Sequence, residues 1–231
     1  MNEEVDGYEL FFNFFSEITN EKMIQFGLDS LKSCDTDIAT KEWDILKDQL
    51  LNNNELHIRG YGRDAKSTCL YFHLYERLFN NNKIKKDASN NHHPTKRIER
   101  WTKNYKKPNK TQLTNGCKVI QNFQVSHVFG QTKNPLLFLS PWNIIFLPKV
   151  MDPFTGHESK GDLSESFSEE LRSFIYNKYK PLIEDYNLLS KGILNKIEPI
   201  IDKMQSNSEF QKFNLIQFRK DALSEWDKIE I

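Results

Sequence analysis

Two histidines and an asparagine follow one another in the second half of the 231-residue chain. His127 ends a β-favouring segment, Asn143 begins a second apolar segment 16 residues later, and His157 follows after another 14 residues. An imidazole that titrates near neutral pH can act as a general base or bind a metal. An amide can tie down a loop because it both donates and accepts hydrogen bonds. Hydrolysis of a phosphodiester needs such a base, a cation that faces the developing negative charge, and a fixed geometry of attack.

The residues around these positions carry a recognisable series. It reads Gln124-Val-Ser-His-Val-Phe-Gly130, then Ser140-Pro-Trp-Asn-Ile144, then Phe154-Thr-Gly-His-Glu158. This series resembles the HNH family of ββα-metal nucleases, and most of all the HNH proteins of bacterial restriction systems. The resemblance covers residues 125–158. It implies that His127 is the general base, that Asn143 fixes the loop, and that His157 is a metal ligand.

The same resemblance implies a divalent metal, most often Mg²⁺, with Mn²⁺ as the alternative. In the family an Asp or His usually precedes the base and binds the metal, whereas this chain has Ser126, which could coordinate through its hydroxyl or through a water. Asp152 and Glu158 are the alternatives for the missing carboxylate. The three cysteines are scattered and form no C-x-x-C pair, so we expect no structural zinc.

A basic segment precedes this series. Residues 81–118 contain 11 Lys or Arg and two Asp or Glu, a net charge of +9, although the whole chain has a formal charge of zero. Such a segment attracts a polyanion, and aromatic residues within it can pack against nucleic acid. The alternative for this segment is a solvated surface loop. The His92-His93 pair within it could contact a metal or a phosphate, or could simply be exposed. The predicted DNA-binding residues are Lys96, Arg97, Arg100, Lys103, Lys106 and Lys107, with Arg59 and Arg63 from the earlier Arg59-Gly-Tyr-Gly-Arg63 loop.

Composition limits the class of protein. Aromatic residues make up 13% of the chain, which argues against disorder even though the mean hydropathy is −0.67. The apolar runs are too short to span a bilayer, and no secretory signal opens the sequence. Scattered cysteines in odd number suit a reducing compartment, so we expect a cytoplasmic protein with no membrane partner.

The hydrophobic pattern predicts an α+β fold with helical N- and C-terminal regions. The HNH resemblance implies that these regions surround a small ββα-metal core. Four regions are expected: 1–80 mainly helical, 81–118 a basic DNA-contacting arm, 119–162 the nuclease core, and 163–231 helical. Within them the pattern predicts helices over about 8–28, 41–51, 67–79, 95–105 and from 163 onward, and strands over 56–61, 119–125 and 143–147. A loop is expected over 130–141, between the last two strands.

Taken together, these features predict a metal-dependent endonuclease that hydrolyses double-stranded DNA. The specific expectation is a type II restriction enzyme, and we expect a homodimer because such an enzyme cuts both strands of a palindromic site. Two alternatives stay open. One is a less specific DNase or RNase, and the other is a non-catalytic nucleic-acid-binding protein on a degenerate HNH scaffold.

Overall fold

A computed structural model describes residues 18–65, 67–102, 105–106, 118–156 and 159–231, with the backbone alone at residues 63, 64, 105, 106, 118 and 119. The helices are α1 (Asn20–Ser30), α2 (Thr36–Leu51), α3 (Thr68–Phe79), α4 (His92–Trp101), α5 (Pro135–Leu139), α6 (Asp162–Gln205) and α7 (Leu215–Ser224). The strands are β1 (Lys32–Ser33), β2 (Leu56–Ile58), β3 (Ile84–Lys86), β4 (Tyr105–Lys106), β5 (Lys118–Val119), β6 (Phe123–His127) and β7 (Ile144–Pro148). Short 3₁₀ helices cover Gly62–Ala65, Lys149–Thr155 and Ser208–Phe210.

The main sheet has three antiparallel strands in the order β1-β7-β6. Every residue of the central strand β7 is buried, which accounts for its uninterrupted apolar sequence. In the β6–β7 hairpin Phe123 pairs with Pro148 and His127 pairs with Ile144. The last residue of β6 therefore lies beside the first residue of β7. Two parallel strand pairs, β2–β3 and β4–β5, lie outside this sheet.

One hydrophobic core runs through the molecule, from Met23 in α1 to Ile229 near the end of the chain. Its centre holds Trp43, Trp142 and Tyr186, whose ring centroids lie 5.6–6.4 Å apart in edge-on or tilted arrangements. Such aromatic contacts add stability beyond the area they bury.

The long helix α6 is bent. Tyr179 has non-helical angles inside it (φ −118°, ψ 22°), two residues before Pro181. Proline lacks the N–H that continues the helical ladder and clashes with the preceding turn, so the helix changes direction here. The bend lets both halves of α6 follow the core.

Two local predictions were wrong. Asn122 adopts a left-handed conformation (φ 59°), and the expected strand over 119–125 is therefore divided into β5 and β6. The expected loop over 130–141 contains α5, because Asn134 caps it and Pro135 occupies a first-turn position. Helix α2 starts earlier than predicted, at Thr36, where the Asp35 side chain accepts a hydrogen bond from the Asp37 N–H. Strand β3 had no predicted counterpart.

The predicted α+β class is confirmed at the level of mixed helices and a small antiparallel sheet. Residues 8–17 of the first predicted helix lie outside the described residues. Within the described part of the chain, no helix has the length and apolar character needed to cross a membrane.

Candidate functional site

His127 lies at the end of the edge strand β6, and its ring is held from two sides. Its Nε2 is 3.0 Å from the Phe138 carbonyl oxygen, and the two rings are stacked with centroids 5.2 Å apart. Its Nδ1 is 3.2 Å from Nη2 of Arg59. The residue is 4% exposed, so the imidazole is enclosed rather than open to solvent.

Asn143 ties down the loop that follows His127. Its Oδ1 accepts a hydrogen bond from the Phe129 N–H at 2.8 Å, and its Nδ2 donates to the carbonyls of Leu137 (2.9 Å) and Gly130 (3.3 Å). Gly130 has a positive φ of 66°, which a side chain would strain. The fully buried amide therefore satisfies three backbone groups of the turn and fixes the carbonyl end of α5 near His127.

Arg59 connects His127 to the basic helix. It follows β2 directly, and its Nη2 also donates to Oδ1 of Asn91 at 3.1 Å. The neighbouring loop is fixed by Asn90, whose Oδ1 accepts from the N–H groups of Gly60 and Tyr61. The guanidinium is thus positioned by the residues just before α4.

A second histidine site lies at the start of α4. The buried Asp87 carboxylate accepts hydrogen bonds from the N–H groups of Ser89, His92 and His93, and from Nδ1 of His93 at 2.7 Å. Burial raises the pKa of this carboxyl, but these donors lower it more, so the pKa of Asp87 lies below its ordinary value. Asp87 therefore anchors the first turn of α4 as an anion.

The His93 ring is stacked on His57, with centroids 3.5 Å apart. Burial, with a smaller contribution from His93, lowers the pKa of His57 to about 4. His57 is therefore neutral at physiological pH. Sequence reasoning missed Asp87 and His57. The one available signal was an Asp five residues ahead of a helix start, where a carboxylate can satisfy the first N–H groups.

The predicted DNA-binding residues on α4 differ in their contacts. Lys96 is exposed on the face towards residues 120–124. Arg97 donates to Gln49 at 3.1 Å, and Arg100 forms an ion pair with Glu42 at 2.5 Å, so both contact α2. Burial, and then the nearby Arg100, lower the pKa of Arg97 to about 10.

The structure describes only some of the remaining predicted residues. Ser126 is buried in β6, next to His127. Asp152 lies in the 3₁₀ helix after β7, beyond Pro148, which pairs with Phe123 at the far end of β6 from His127. The described residues therefore do not bring Asp152 and His127 to the same end of the hairpin. Outside the described residues lie His157, Glu158, Lys103 and Lys107, and the side chains of Arg63 and Lys106.

The described side chains do not by themselves fit a metal site. Among them, no three His, Cys, Asp or Glu residues are grouped as ligands. The His57–His93 pair is stacked ring on ring, and His93 Nδ1 is already bonded to Asp87, which leaves no shared direction for a cation.

Fold and site together define an α+β protein with an enclosed histidine at the end of an edge strand, joined through an arginine to a basic helix. The chain belongs to the family described as "Uncharacterised protein PM1201", whose sequence pattern matches residues 34–231. It is 41% identical over 219 residues to the uncharacterized protein PM1201 of Pasteurella multocida (strain Pm70), covering 94% of this chain and 90% of that protein. No solved structure matches the chain. The matched range includes every residue of both histidine sites.

Proposed function

We propose that this protein is a metal-dependent endonuclease that hydrolyses phosphodiester bonds of double-stranded DNA, with His127 as the general base. The observation that carries the proposal is the orientation of the His127 ring between the Phe138 carbonyl and the Arg59 guanidinium. The HNH-like series of residues supplies the class of reaction.

The hydrogen bonds assign the tautomer of His127. A carbonyl oxygen only accepts, so Nε2 must carry the proton that it donates to Phe138. In the neutral imidazole the lone pair is then on Nδ1, where Arg59 donates. Nδ1 is therefore the atom that would take a proton from water. The resulting hydroxide would attack phosphorus, the bond to the leaving oxygen would break, and that oxygen would be protonated.

Arg59 occupies the position that the water needs. A guanidinium forms stronger hydrogen bonds with an anionic phosphate than with neutral groups such as an imidazole or an amide. A bound DNA phosphate would draw Arg59 away from Nδ1 and open the lone pair to water. Asn143 would keep the loop, and with it the Phe138 carbonyl, in place while Arg59 moves.

In this proposal His157 and Ser126 would bind the divalent cation. The cation would neutralise charge on the phosphate oxygens. Because His157 lies outside the described residues, no step above depends on the position of the cation. Asp152 is the weaker candidate ligand because of its place at the other end of the hairpin.

The proposal is tested by incubating supercoiled plasmid with the full chain and Mg²⁺, Mn²⁺ or EDTA. We expect nicking and linearisation with the metals and none with EDTA. His127→Ala should lower the rate by roughly 10²–10⁴-fold, the usual contribution of a general base. His73→Ala, a substitution on α3, is the matched control and should cleave like the wild type.

The cleavage products distinguish a restriction enzyme from a less specific nuclease. Discrete fragments would support a restriction enzyme, and gel filtration showing a dimer would support cleavage of both strands of a palindrome. A smear would support a less specific DNase, and preferential loss of RNA would support an RNase. Cleavage retained by His127→Ala would remove this residue from the mechanism.

A non-catalytic nucleic-acid-binding protein is the second candidate. Its specific support is that His127 is 4% exposed with both ring nitrogens engaged. It predicts a protein that retards DNA on a gel and leaves it intact with Mg²⁺, Mn²⁺ and Co²⁺.

A further inference from the structure

A groove of about 800 Å³ separates helix α4 from the chain that leads into β6. One wall is a single face of α4, formed by His92, Thr95, Lys96 and Glu99 at three- and four-residue spacing. The other wall is residues 120–124. It is continued by Lys149, whose backbone N–H donates to the Asn122 carbonyl at 2.8 Å.

The chemistry of the groove suits a polyanion. Lys96 and Lys149 are exposed and come from different walls, and Glu99 is the one acid among the described lining residues. The rest of the lining combines uncharged hydrogen-bonding groups, including Gln121 and Gln124, with the apolar residues Ile120 and Phe123. Lysines supply point charges for phosphates, and amides can follow a sugar–phosphate backbone without reading sequence.

The groove leads towards His127. Asn91 lines it, and the same Asn91 oxygen accepts from Arg59, which contacts His127. Gln124 is three residues before His127 on β6, a distance of about 10 Å along a strand. A DNA strand bound in the groove would therefore have a phosphate near Arg59 within a few nucleotides.

We infer that this groove binds the phosphodiester backbone of the DNA substrate through Lys96 and Lys149, and guides one strand towards Arg59 and His127. The inference rests on the proposed function and adds Lys149, which no sequence motif indicated. It also assigns different roles to two basic residues of α4. Lys96 contacts DNA, whereas Arg100 is paired with Glu42 and holds α4 against α2.

The test measures binding of a fluorescent DNA duplex by anisotropy over a series of salt concentrations, with EDTA present so that the probe is not cut. Lys96→Ala/Lys149→Ala should raise Kd roughly tenfold or more, and should reduce the slope of log K against log salt by about 2. Lys191→Ala/Lys220→Ala, which removes two exposed lysines that do not line the groove, should leave both values close to wild type. Thermal melting of each variant checks that the fold is retained.

Wild-type affinity and salt slope in Lys96→Ala/Lys149→Ala would overturn the inference, and so would an equal or larger loss in Lys191→Ala/Lys220→Ala. Displacement of the duplex by a mononucleotide at equal concentration would identify a nucleotide pocket instead. Preference for a labelled RNA of the same sequence would reassign the substrate. If Lys96→Ala/Lys149→Ala cuts plasmid normally, the groove is wrong and the nuclease proposal stands. If the wild type binds through the lysines but never cuts, the nuclease proposal fails and the groove stands.

Discussion

The two histidine sites differ in what surrounds each imidazole. His93 donates to a buried carboxylate, Asp87, and is stacked on a second ring. His127 donates to a backbone carbonyl and faces a guanidinium. By residue type alone, the Asp87–His93 pair is the more familiar arrangement for a base oriented by an acid.

The hydrogen-bond partners argue against a catalytic role for the Asp87–His93 pair. Asp87 also accepts three backbone N–H groups at the start of α4, so its charge serves the helix as well as the imidazole. His127 ends a strand and contacts Arg59, a side chain that a phosphate could attract. A carboxylate–imidazole pair can thus serve as a structural anchor, and it is the contact with Arg59 that distinguishes the surroundings of His127.

Cleavage assays on two alanine variants give the largest expected difference between the sites. His127→Ala should lose roughly 10²–10⁴-fold in rate, because the proton acceptor is removed. His93→Ala should stay within about tenfold of wild type, since it weakens only the anchor of α4. Initial rates on supercoiled plasmid, with thermal melting of both variants, check this. A greater loss in His93→Ala at unchanged stability would move the catalytic role to the Asp87–His93 pair.

The strands near His127 and Asn143 were predicted in part from the sequence, whereas the Asp87–His93 contact was not predicted. Parts of β6 and β7 could be predicted because residue type and spacing are local properties, but the segment between these strands was expected to be a loop and contains α5. The contacts of Arg59 with Asn91 and His127 could not be predicted, because they join residues 32 and 68 positions apart. The different contacts of the basic residues on α4 could not be predicted either. Arg97 and Arg100 contact α2, and such contacts arise from tertiary packing.

Removing the Asp87 carboxylate tests the anchor directly. Asp87→Ala leaves three backbone N–H groups and the His93 ring without their acceptor, and we expect a loss of roughly 3 kcal/mol in the free energy of unfolding. Asp29→Ala, at an exposed aspartate that accepts from Gln25, should change stability by less than about 0.5 kcal/mol. Urea denaturation followed by circular dichroism measures both.

Asp87→Asn keeps the shape of the side chain and guards against a variant that fails to fold. It should lose less stability than Asp87→Ala, because one amide oxygen can still accept from the backbone. Equal stability of wild type, Asp87→Asn and Asp87→Ala would show that the carboxylate does not hold α4.

The His57–His93 stack gives the smallest expected effect, a dependence of stability on pH. The pKa of His57 is about 4 in the folded protein and close to 6.5 when unfolded, so between these values the unfolded chain binds more protons. Stability should therefore fall as pH drops from 6.5 towards 4, by on the order of 2 kcal/mol from this group. The charged neighbours Glu55, Lys85 and Asp87 also face the stack and set a background slope. His57→Phe keeps a stacked ring and removes the titration, so its urea midpoint should decline less over this range. Parallel declines in wild type and His57→Phe would mean that His57 is protonated in the folded state as readily as in the unfolded chain.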